Sequence, residues 1–378
     1  MNGRERFLTA LNHDEPDRVP LYHTNEMPVF VENWMERYED EVEEDDVVLC
    51  CGSDLTMAKM MGFDAVWSNL PRKARKEPRQ SDYEGRLPEL QPGQAICSEG
   101  RIHQHALLHG KGHNWYVAPA LTSLDLWLEW YDDYEFEPLP STQISGLKRS
   151  YQEAINGPNG GILPTLIVGA LFETVVESLG MREFSIACRK RRSELEEAFD
   201  KVLELRLVQV NTFKEVGIDV ALIGDDSAYK DRTYISPELH RELVVPRYKK
   251  IADELHRAGI KLLLHSDGFT EPYFPGFIEA GIDGIETIEK AAGMDFGHLK
   301  EKYGEQLALC GPVDCSRLLS YGTPADIEAE IITLIKQGKK GGKGGFAIGP
   351  CTALIDTIPI ENAEAMVNAT IKHGKYPL

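Results

Sequence analysis

Three side chains that commonly bind zinc stand at the ends of predicted strands in the second half of the chain. His265, Cys310 and Cys351 each lie at or just after a short apolar run that is typical of a buried parallel strand. Neighbouring strands of a barrel are only about 4.8 Å apart, so the imidazole and the two thiols could converge on one point. One nitrogen and two sulfurs with an open fourth position suit a catalytic zinc ion. We predict a zinc site at these residues, with Asp267 and Glu289 as reserve oxygen ligands.

Each cysteine also has a simpler explanation. A single cysteine at a strand end is more often a small buried apolar residue than a metal ligand. The seven cysteines show no repeating spacing and therefore do not predict a disulfide framework. Cys315 is expected in the loop or helix after Cys310, and the other four are predicted to be structural: Cys50, Cys51, Cys97 and Cys188.

Two adjacent carboxylates follow another predicted strand. Asp225 and Asp226 come directly after Val220–Gly224. Adjacent residues at a strand end point in different directions, so only one of them needs to face a pocket. The functional interpretation is a carboxylate that binds substrate or assists a proton transfer. The alternative is a turn cap for the loop that begins at Tyr229.

The elements that must position these side chains alternate between strands and helices. Apolar runs of four to seven residues separated by long amphipathic stretches predict a parallel sheet. The predicted strands are Val19–His23, Asp64–Ser68, Ile162–Val168, Val220–Gly224, Lys261–His265, Gly284–Ile288, Gln306–Cys310 and Gly345–Gly349. We predict an α/β fold, a (β/α)8 TIM barrel preceded by N-terminal helices, with its active site at the carboxyl ends of the strands.

Local signals place several helix boundaries and one insertion. Ser236-Pro237 predicts the start of a helix that runs to Ala258, and Thr323-Pro324 predicts another start. Gly281 is expected to end a helix in the left-handed conformation. Residues from about 93 to 118 break the alternation and predict an antiparallel hairpin insertion within a single domain, 1–378. The glycine- and lysine-rich residues 336–345 lack a phosphate-loop motif and predict a connection on the opposite face of the barrel.

Composition excludes several classes of function. The chain has 378 residues, of which 42% are hydrophobic and 27% charged, and this is globular composition with ample material for a core. The formal charge of −20 argues against general binding of nucleic acid, which needs clustered lysine and arginine. We find neither an N-terminal apolar segment nor the roughly 18 consecutive apolar residues of a spanning helix, and expect a cytoplasmic protein.

Four long stretches resemble the uroporphyrinogen decarboxylase superfamily. They are RERFLTALNHDEPDRVPLY, GDDSAYKDRTYISPELHRELVVPRYKKIADELHRAGIKLLLHSDG, GIDGIETIEKAAGMDFGHLKEKYGEQLALCGPVDCSRLLSYGTPADIEAEI and GPCTALIDTIPIENAEAMV. The resemblance implies the barrel without settling the reaction. The superfamily includes decarboxylases that act on a polycarboxylated tetrapyrrole without a metal. It also includes zinc-dependent methyltransferases that work with corrinoid proteins, among them methylcobamide:coenzyme M enzymes and components of O-demethylase systems.

The sequence departs from both branches. The decarboxylases hold substrate carboxylates with an arginine-bearing segment of the form M-R-Q-A-G-R, but the matching stretch here, Pro20–Met27, has no arginine and contains Glu26. The coenzyme M enzymes bind zinc through a His-x-Cys pair and a later cysteine. His265 and Cys351 match that pattern, whereas Asp267 replaces the middle cysteine. Either Cys310 compensates or Asp267 binds directly, and the substitution argues against thiol methylation.

The residues and the resemblance together lead to the hypothesis of a zinc-dependent methyltransferase. It would move a methyl group between a small methylated substrate, such as a methyl ether, and a corrinoid, with zinc as the Lewis acid. Asp226 and Tyr229 would position the substrate, and Asp267 or Glu289 would complete or orient the metal shell. The residues predicted to act in catalysis are Asp226, Tyr229 and Asp267, and those predicted to bind substrate are His23, Glu26, Asp225 and Glu289.

The corrinoid is expected to come from a partner protein, because the chain has no D-x-H-x-x-G motif of its own. That partner would dock transiently at the mouth of the barrel. The segment His103–Trp115, with His105, His109 and His113, is a candidate contact, although a polar surface hairpin is the preferred explanation. A homodimer is also left open.

Three alternatives to this hypothesis remain. The first is a metal-free lyase of the decarboxylase type. The second is a barrel that binds a tetrapyrrole or corrinoid without catalysis. The third is a metal hydrolase in which Asp226 activates water.

Overall fold

The structure, a computed structural model, describes residues 1–43, 46–51, 53–108, 111–157 and 160–378. His109 of the predicted hairpin lies outside these ranges. In the described ranges the strands are β1 (Tyr22–His23), β2 (Leu49–Cys50), β3 (Ser53–Asp54), β4 (Ala65–Ser68), β5 (Ala74–Lys76), β6 (Gln94–Ile96), β7 (Arg101–Leu108), β8 (Lys111–Pro119), β9 (Glu135–Phe136), β10 (Leu163–Val168), β11 (Val220–Gly224), β12 (Lys261–His265), β13 (Gly284–Glu286), β14 (Ala308–Cys310) and β15 (Phe346–Ala347).

Helices separate most of the strands. In the same ranges the α-helices are α1 (Gly3–Leu11), α2 (Pro28–Tyr38), α3 (Thr56–Met61), α4 (Leu124–Asp132), α5 (Ser141–Asn156), α6 (Phe172–Leu179), α7 (Met181–Lys190), α8 (Arg192–Val216), α9 (Pro237–Leu243), α10 (Val245–His256), α11 (Phe274–Ala280), α12 (Phe296–Tyr303), α13 (Pro324–Gly338) and α14 (Ile360–His373). Short 3-10 turns occur at Glu39–Glu41, Gln80–Tyr83, Glu271–Tyr273 and Lys290–Ala292, and a π-turn at Cys315–Leu319. None of these helices combines the length and the apolar composition that crossing a bilayer requires.

Eight strands form one parallel sheet in the order β1-β4-β10-β11-β12-β13-β14-β15. Leu21 and Ile348 form a parallel bridge between its two edges, and the Tyr22 amide donates to the Ile348 carbonyl at 2.9 Å. The sheet therefore forms a nearly closed barrel, and the predicted TIM-type fold is confirmed. The predicted bounds of β11 and β12 are correct. Other predicted strands are too long, because buried apolar residues such as Ile288 continue beyond the last ladder hydrogen bond.

The helix signals are correct except at one proline. Ser236 and Thr323 cap α9 and α13 through their side chains, and Gly281 ends α11 with φ of 84°. The helix predicted from Pro237 to Ala258 is instead broken into α9 and α10. Pro246 explains the break, because it has no amide hydrogen and its ring excludes continuous helix through that point.

The insertion forms a three-stranded antiparallel sheet, one strand more than the predicted hairpin. β6 pairs with β7 and β7 with β8. The sheet is attached to α6, since Tyr116 donates its hydroxyl to the Glu177 carbonyl at 3.0 Å and Arg101 contacts the Glu177 carboxylate at 2.9 Å. Because α6 follows barrel strand β10, the insertion lies at the carboxyl ends of the strands.

The glycine-rich stretch packs around a buried lysine. The loop after α13 leads into β15 and so lies at the amino-terminal ends of the strands, in agreement with the prediction. A Cβ atom at Gly341 would lie 1.9 Å from the carbonyl oxygen of Lys300, and one at Gly345 would lie 2.9 Å from its Nζ. Lys300 is 0% exposed and its Nζ donates to the Gly304 carbonyl at 3.2 Å. Burial lowers the pKa of Lys300 to about 8.

We expect Lys300→Met to raise the free energy of unfolding at neutral pH, because the folded protein otherwise holds an ammonium group away from water. Above pH of about 8 the folded lysine releases its proton while the unfolded chain keeps it up to about pH 10.4, so wild-type stability rises over this range. The advantage of the variant should shrink by about 3 kcal/mol between neutral pH and the upper end of the range. Urea unfolding at both pH values measures it.

The exposed Lys336→Met change serves as the control for that experiment, since water solvates this side chain in both states. Its difference from wild type should not depend on pH. An advantage of Lys300→Met that stays constant with pH would contradict the prediction.

Candidate metal centre

The carboxyl ends of β11 and β12 bring three potential ligands together. Asp226 follows β11 by two residues, His265 ends β12, and Asp267 follows it by two residues. One ligand atom from each lies within 4.8 Å of the other two, and no other such group of histidine, cysteine, aspartate or glutamate residues occurs in the described ranges. Parallel strands that end on one side of the barrel explain why residues 41 positions apart in sequence meet here.

Glu286 fixes the orientation of the histidine ring. The Nδ1 atom of His265 lies 2.8 Å from Oε2 of Glu286, which is 0% exposed, and 3.2 Å from the Thr287 hydroxyl. An ionised carboxylate only accepts hydrogen bonds, so Nδ1 carries the hydrogen. The other nitrogen, Nε2, lies 3.8 Å from Oδ1 of Asp226. A histidine whose second nitrogen donates to a carboxylate is the usual arrangement behind a metal ligand.

The two aspartates are also held in place. The Asp267 amide donates to Oδ1 of Asp226 at 2.9 Å. Oδ1 of Asp267 is buried and has no hydrogen-bond partner among the residues that the structure describes. A buried carboxylate oxygen without a partner carries a free-energy cost that a bound cation would remove.

The electrostatics of the cluster favour a positive charge at its centre. Burial lowers the pKa of His265, but Glu286, Asp226 and Asp267 outweigh it and raise this pKa to about 10. Burial raises the pKa of Asp267 to about 6. The neighbouring carboxylates also raise this pKa, whereas His265 lowers it. One imidazole nitrogen and two carboxylate oxygens with open positions fit a divalent ion such as zinc. The residues present therefore fit a metal.

The cysteines of the predicted ligand set lie elsewhere. In the barrel register His265 is opposite Glu286, and Glu286 is opposite Cys310, so that Glu286 stands on the strand between them. Cys310 is fully buried, and burial raises the pKa of its thiol. Cys351 contacts Cys315. The Cys315 thiol, and then burial, raise the pKa of Cys351 far above its ordinary value. Within the described ranges, the side chains whose potential ligand atoms lie within 4.8 Å of one another are those of Asp226, His265 and Asp267, and the predicted set of His265, Cys310 and Cys351 is not such a group.

Asp225 has a structural position instead of the predicted contact with substrate. It is 0% exposed and accepts hydrogen bonds from the amides of Leu171, Phe172 and Glu173 at 3.0, 2.8 and 2.7 Å. The Tyr248 hydroxyl donates to it at 2.6 Å. Asp225 therefore binds the amino terminus of α6, whereas the adjacent Asp226 faces the cluster.

Glu289 and Tyr229 border the cluster. Glu289 accepts a hydrogen bond from the Gly268 amide at 3.1 Å and lies 3.7 Å from Nζ of Lys230. Gly268 has φ of 88°, and a Cβ atom there would lie 2.6 Å from the Tyr229 carbonyl, so only glycine fits. Tyr229 is 44% exposed and packs edge-on against Tyr234 with the ring centres 4.4 Å apart. Glu289 thus holds the loop after His265, and Tyr229 lies at the rim.

His23 and Glu26 lie at the end of β1. His23 is fully buried against Phe63, with ring centres 4.4 Å apart, and burial lowers its pKa to about 3. Burial, with a smaller contribution from Asp54, raises the pKa of Glu26 to about 7. No hydrogen bond or ion pair within the described ranges joins either residue to the three clustered ligands. Their predicted contact with substrate stays a prediction.

Three further residues belong to the site without having been assigned a role from sequence. Glu286 ends barrel strand β13, and its pairing with His265 depends on the β12–β13 register. Glu173, in the first turn of α6, accepts from the Asp226 amide at 3.3 Å, and burial and then Asp226 raise its pKa strongly. Trp67 contacts the His265 ring edge-on, with the centres 4.8 Å apart. The feature of the sequence that could have indicated a role for these residues is their position on a barrel strand or shortly after one.

A parallel barrel with a candidate metal site at the carboxyl ends of its strands defines the structural class. The family model for uroporphyrinogen decarboxylase (URO-D) matches residues 169–373, and the chain belongs to this family. None of the curated proteins compared matches the sequence significantly.

The comparison with solved structures finds a protein that has the same fold as this chain. A methyltransferase from Methanosarcina mazei is 19% identical, with 98% of this chain and 99% of that chain covered and a TM-score of 0.66. A chitinase from Chromobacterium violaceum is 9% identical, with 93% and 98% covered and a TM-score of 0.40. At these identities the comparison with the methyltransferase shows a common fold over nearly the whole chain.

Asp225→Ala should lower the free energy of unfolding by about 3 kcal/mol or more, because it leaves three amides, two of them buried, and a buried tyrosine hydroxyl without their acceptor. The matched change Asp231→Ala removes a carboxylate whose side chain is 72% exposed and should have almost no effect. Chemical denaturation of both variants measures the difference. Equal stabilities would show that Asp225 does not anchor α6.

The two possible ligand sets can be separated by metal analysis. We expect purified protein to bind about one divalent ion per chain, and Asp226→Ala, His265→Ala and Asp267→Ala each to lose at least about nine-tenths of it, because each removes a ligand. Cys310→Ala and Cys351→Ala should keep the ion. Loss of metal from the cysteine variants and not from the aspartate variants would show that the ion is bound by the residues predicted from sequence, His265, Cys310 and Cys351. Elemental mass spectrometry gives the stoichiometry.

Proposed function

We propose that this protein is a metal-dependent methyltransferase that moves a methyl group between a small methylated substrate, such as a methyl ether, and the corrinoid of a partner protein. The observation that carries the proposal is the cluster of Asp226, His265 and Asp267, with Glu286 behind the histidine, at the active-site face of a URO-D barrel. The fold shared with the Methanosarcina mazei methyltransferase supports it.

The proposed chemistry divides between the ion and the chain. A divalent ion, with zinc as the first candidate, would act as a Lewis acid on the heteroatom that carries the methyl group. Glu286 keeps Nδ1 of His265 occupied, so that Nε2 faces the cluster. The Asp267 amide holds Asp226, and Glu289 holds the backbone that follows Asp267. These contacts keep the donor atoms in place without reorganisation when substrate binds.

The surroundings define where a substrate would lie. Trp67 forms one wall beside His265 and is itself fixed, since its indole donates to the Tyr22 hydroxyl at 2.5 Å. Tyr229 and Lys230 lie at the rim, where both side chains are exposed. An aromatic wall and an open rim suit a small, largely apolar methyl donor approached from outside by the corrinoid of a partner.

The charges at the mouth argue against a polycarboxylate substrate. Carboxylates follow several barrel strands there: Glu26, Glu173, Asp226, Asp267 and Glu289. Arg101 lies 3.6 Å from Glu173, but it is already paired with Glu99 and Glu177 at 2.5 and 2.9 Å. In the part of the mouth that the structure describes, a substrate with many carboxylates would meet mainly acidic side chains and would lose its hydration without gaining matching cations, which costs free energy. Decarboxylation of a polycarboxylated tetrapyrrole is therefore the less favoured function of this site.

The remaining parts of the proposal concern partners and location. The 378 residues contain no D-x-H-x-x-G motif, so we assign the corrinoid to a separate protein that docks at the open mouth. We also propose a cytoplasmic location, where a reducing environment keeps cysteines as thiols.

Methyl transfer can be assayed with the metal-loaded protein, a panel of methoxybenzenes and free cob(I)alamin as the acceptor. Absorbance reports conversion of cob(I)alamin to methylcobalamin. We expect turnover by wild type and at least a roughly 100-fold loss in His265→Ala and Asp267→Ala, because the Lewis acid is lost with its ligands. Asp253→Asn, which changes a carboxylate on α10 with a side chain 46% exposed, should keep full activity.

Glu286→Gln tests the positioning role within the same assay. It should weaken metal affinity by about 10- to 100-fold, and saturating metal should restore part of the activity, since the three ligands remain. Activity that is unchanged in His265→Ala would exclude the proposed chemistry. Release of carbon dioxide from uroporphyrinogen, hydrolysis of esters, or cobalamin binding without turnover would instead identify a lyase, a hydrolase or a non-catalytic barrel.

A further inference from the structure

Two adjacent cysteines form a buried pair of thiols outside the metal centre. The Sγ atoms of Cys50 and Cys51 lie 3.4 Å apart, and both residues are free cysteines. Cys50 is 0% exposed and Cys51 is 6% exposed. The pair lies at the end of β2, where the chain turns towards β3.

The backbone at Cys51 explains the contact between the two sulfurs. Successive side chains of an extended strand point to opposite faces and keep adjacent thiols apart. Cys51 instead has φ of 55°, in the left-handed region that few residues other than glycine adopt. This conformation turns the two thiols to the same side of the chain.

The surroundings make the two sulfurs chemically different. The Cys51 amide donates to the Ser150 hydroxyl at 3.3 Å, and that hydroxyl lies 3.9 Å from the sulfur of Cys51. The thiol of Cys50 lowers the pKa of Cys51 despite burial, and Ser150 contributes in the same direction. The contact with Cys51, followed by burial, raises the pKa of Cys50. Cys51, which is 6% exposed and lies beside the Ser150 hydroxyl, is therefore assigned as the attacking thiol, and the fully buried Cys50 as the thiol that resolves the product.

We propose that Cys50 and Cys51 are a site of reversible oxidation that a hydroperoxide converts to a vicinal disulfide. The Cys51 thiolate attacks the peroxide oxygen, which breaks the O–O bond, forms a sulfenic acid and releases an alcohol or water once the leaving oxygen takes a proton. The sulfur of Cys50 then displaces hydroxide from the sulfenic acid, and its proton leaves with the hydroxide as water. The two thiols are oxidised by two electrons in total, and the peroxide is reduced by two.

The geometry indicates that this disulfide would be readily reduced. Disulfides usually join residues with Cα atoms about 4.4 to 6.8 Å apart, whereas adjacent residues are about 3.8 Å apart across a trans peptide. A bridge between neighbours is therefore strained, and strained disulfides have higher reduction potentials and are the labile ones. The product would be reversible under cellular thiol levels.

The pair is connected to the wall of the candidate metal centre. The Ser68 hydroxyl donates to the Cys50 carbonyl at 3.3 Å, and Ser68 ends barrel strand β4 directly after Trp67. Trp67 contacts His265. Oxidation thus acts one residue away from a side chain of the site, although the oxidation itself does not depend on the proposed methyl transfer.

The test uses the fully reduced, full-length protein treated with hydrogen peroxide in slight excess. Tryptic cleavage leaves both thiols in one peptide, because residues 38–58 contain neither lysine nor arginine. We expect this peptide to lose the mass of two hydrogen atoms, the thiol count of the unfolded protein to fall by two from seven, and dithiothreitol to reverse both changes.

Variants distinguish the two cysteines. Cys50→Ser should leave a sulfenic acid on Cys51 that dimedone captures, whereas Cys51→Ser should leave Cys50 as a thiol. The partly exposed Cys97 and Cys188 are internal controls, since they should not yield the two-hydrogen loss. The proposal is overturned if peroxide leaves residues 50 and 51 reduced, or if a cross-link between Cys315 and Cys351 accounts for the two lost thiols.

Discussion

The hydrogen bond between His265 and Glu286 is the interaction on which the candidate site depends. Glu286 is a buried carboxylate inside the barrel, and such a group is costly unless a charged or hydrogen-bonding partner compensates it. His265 is that partner, because the β12–β13 register places the two side chains opposite each other. The bond turns Nε2 towards Asp226 and Asp267, and the surplus of negative charge makes the centre of the cluster suitable for a cation.

The two adjacent aspartates that follow β11 have different roles. Asp225 is directed into the protein and anchors α6, while Asp226, the next residue, faces the cluster. α6 in turn carries Glu173, which accepts a hydrogen bond from the Asp226 amide. A residue that stabilises the fold and one that forms the site are thus linked through a single helix terminus.

Membership of the URO-D family and the chemistry of this site favour different substrates. The family model is described by a decarboxylase, yet the mouth of this barrel presents carboxylates and keeps Arg101 paired with Glu99 and Glu177. The acidic, aromatic-walled mouth with its candidate cation site therefore supports the proposed uncharged methyl donor over a polycarboxylate. The thiol pair beside β4 would add sensitivity to oxidants at the edge of that mouth.

The amino-acid sequence alone was sufficient to predict the barrel, the bounds of β11 and β12 and most helix ends. Apolar runs, capping residues and glycines determine these features through interactions between residues a few positions apart. The sequence also placed Asp226, His265 and Asp267 among the candidates, since they follow strands. It did not separate the carboxylates of Asp226 and Asp267 from the thiols of Cys310 and Cys351 as the candidate partners of His265 at a metal site. That choice depends on register and on side-chain direction across several strands: Glu286 occupies the strand between His265 and Cys310, and Cys351 faces Cys315. Such long-range geometry has no local signature in the sequence.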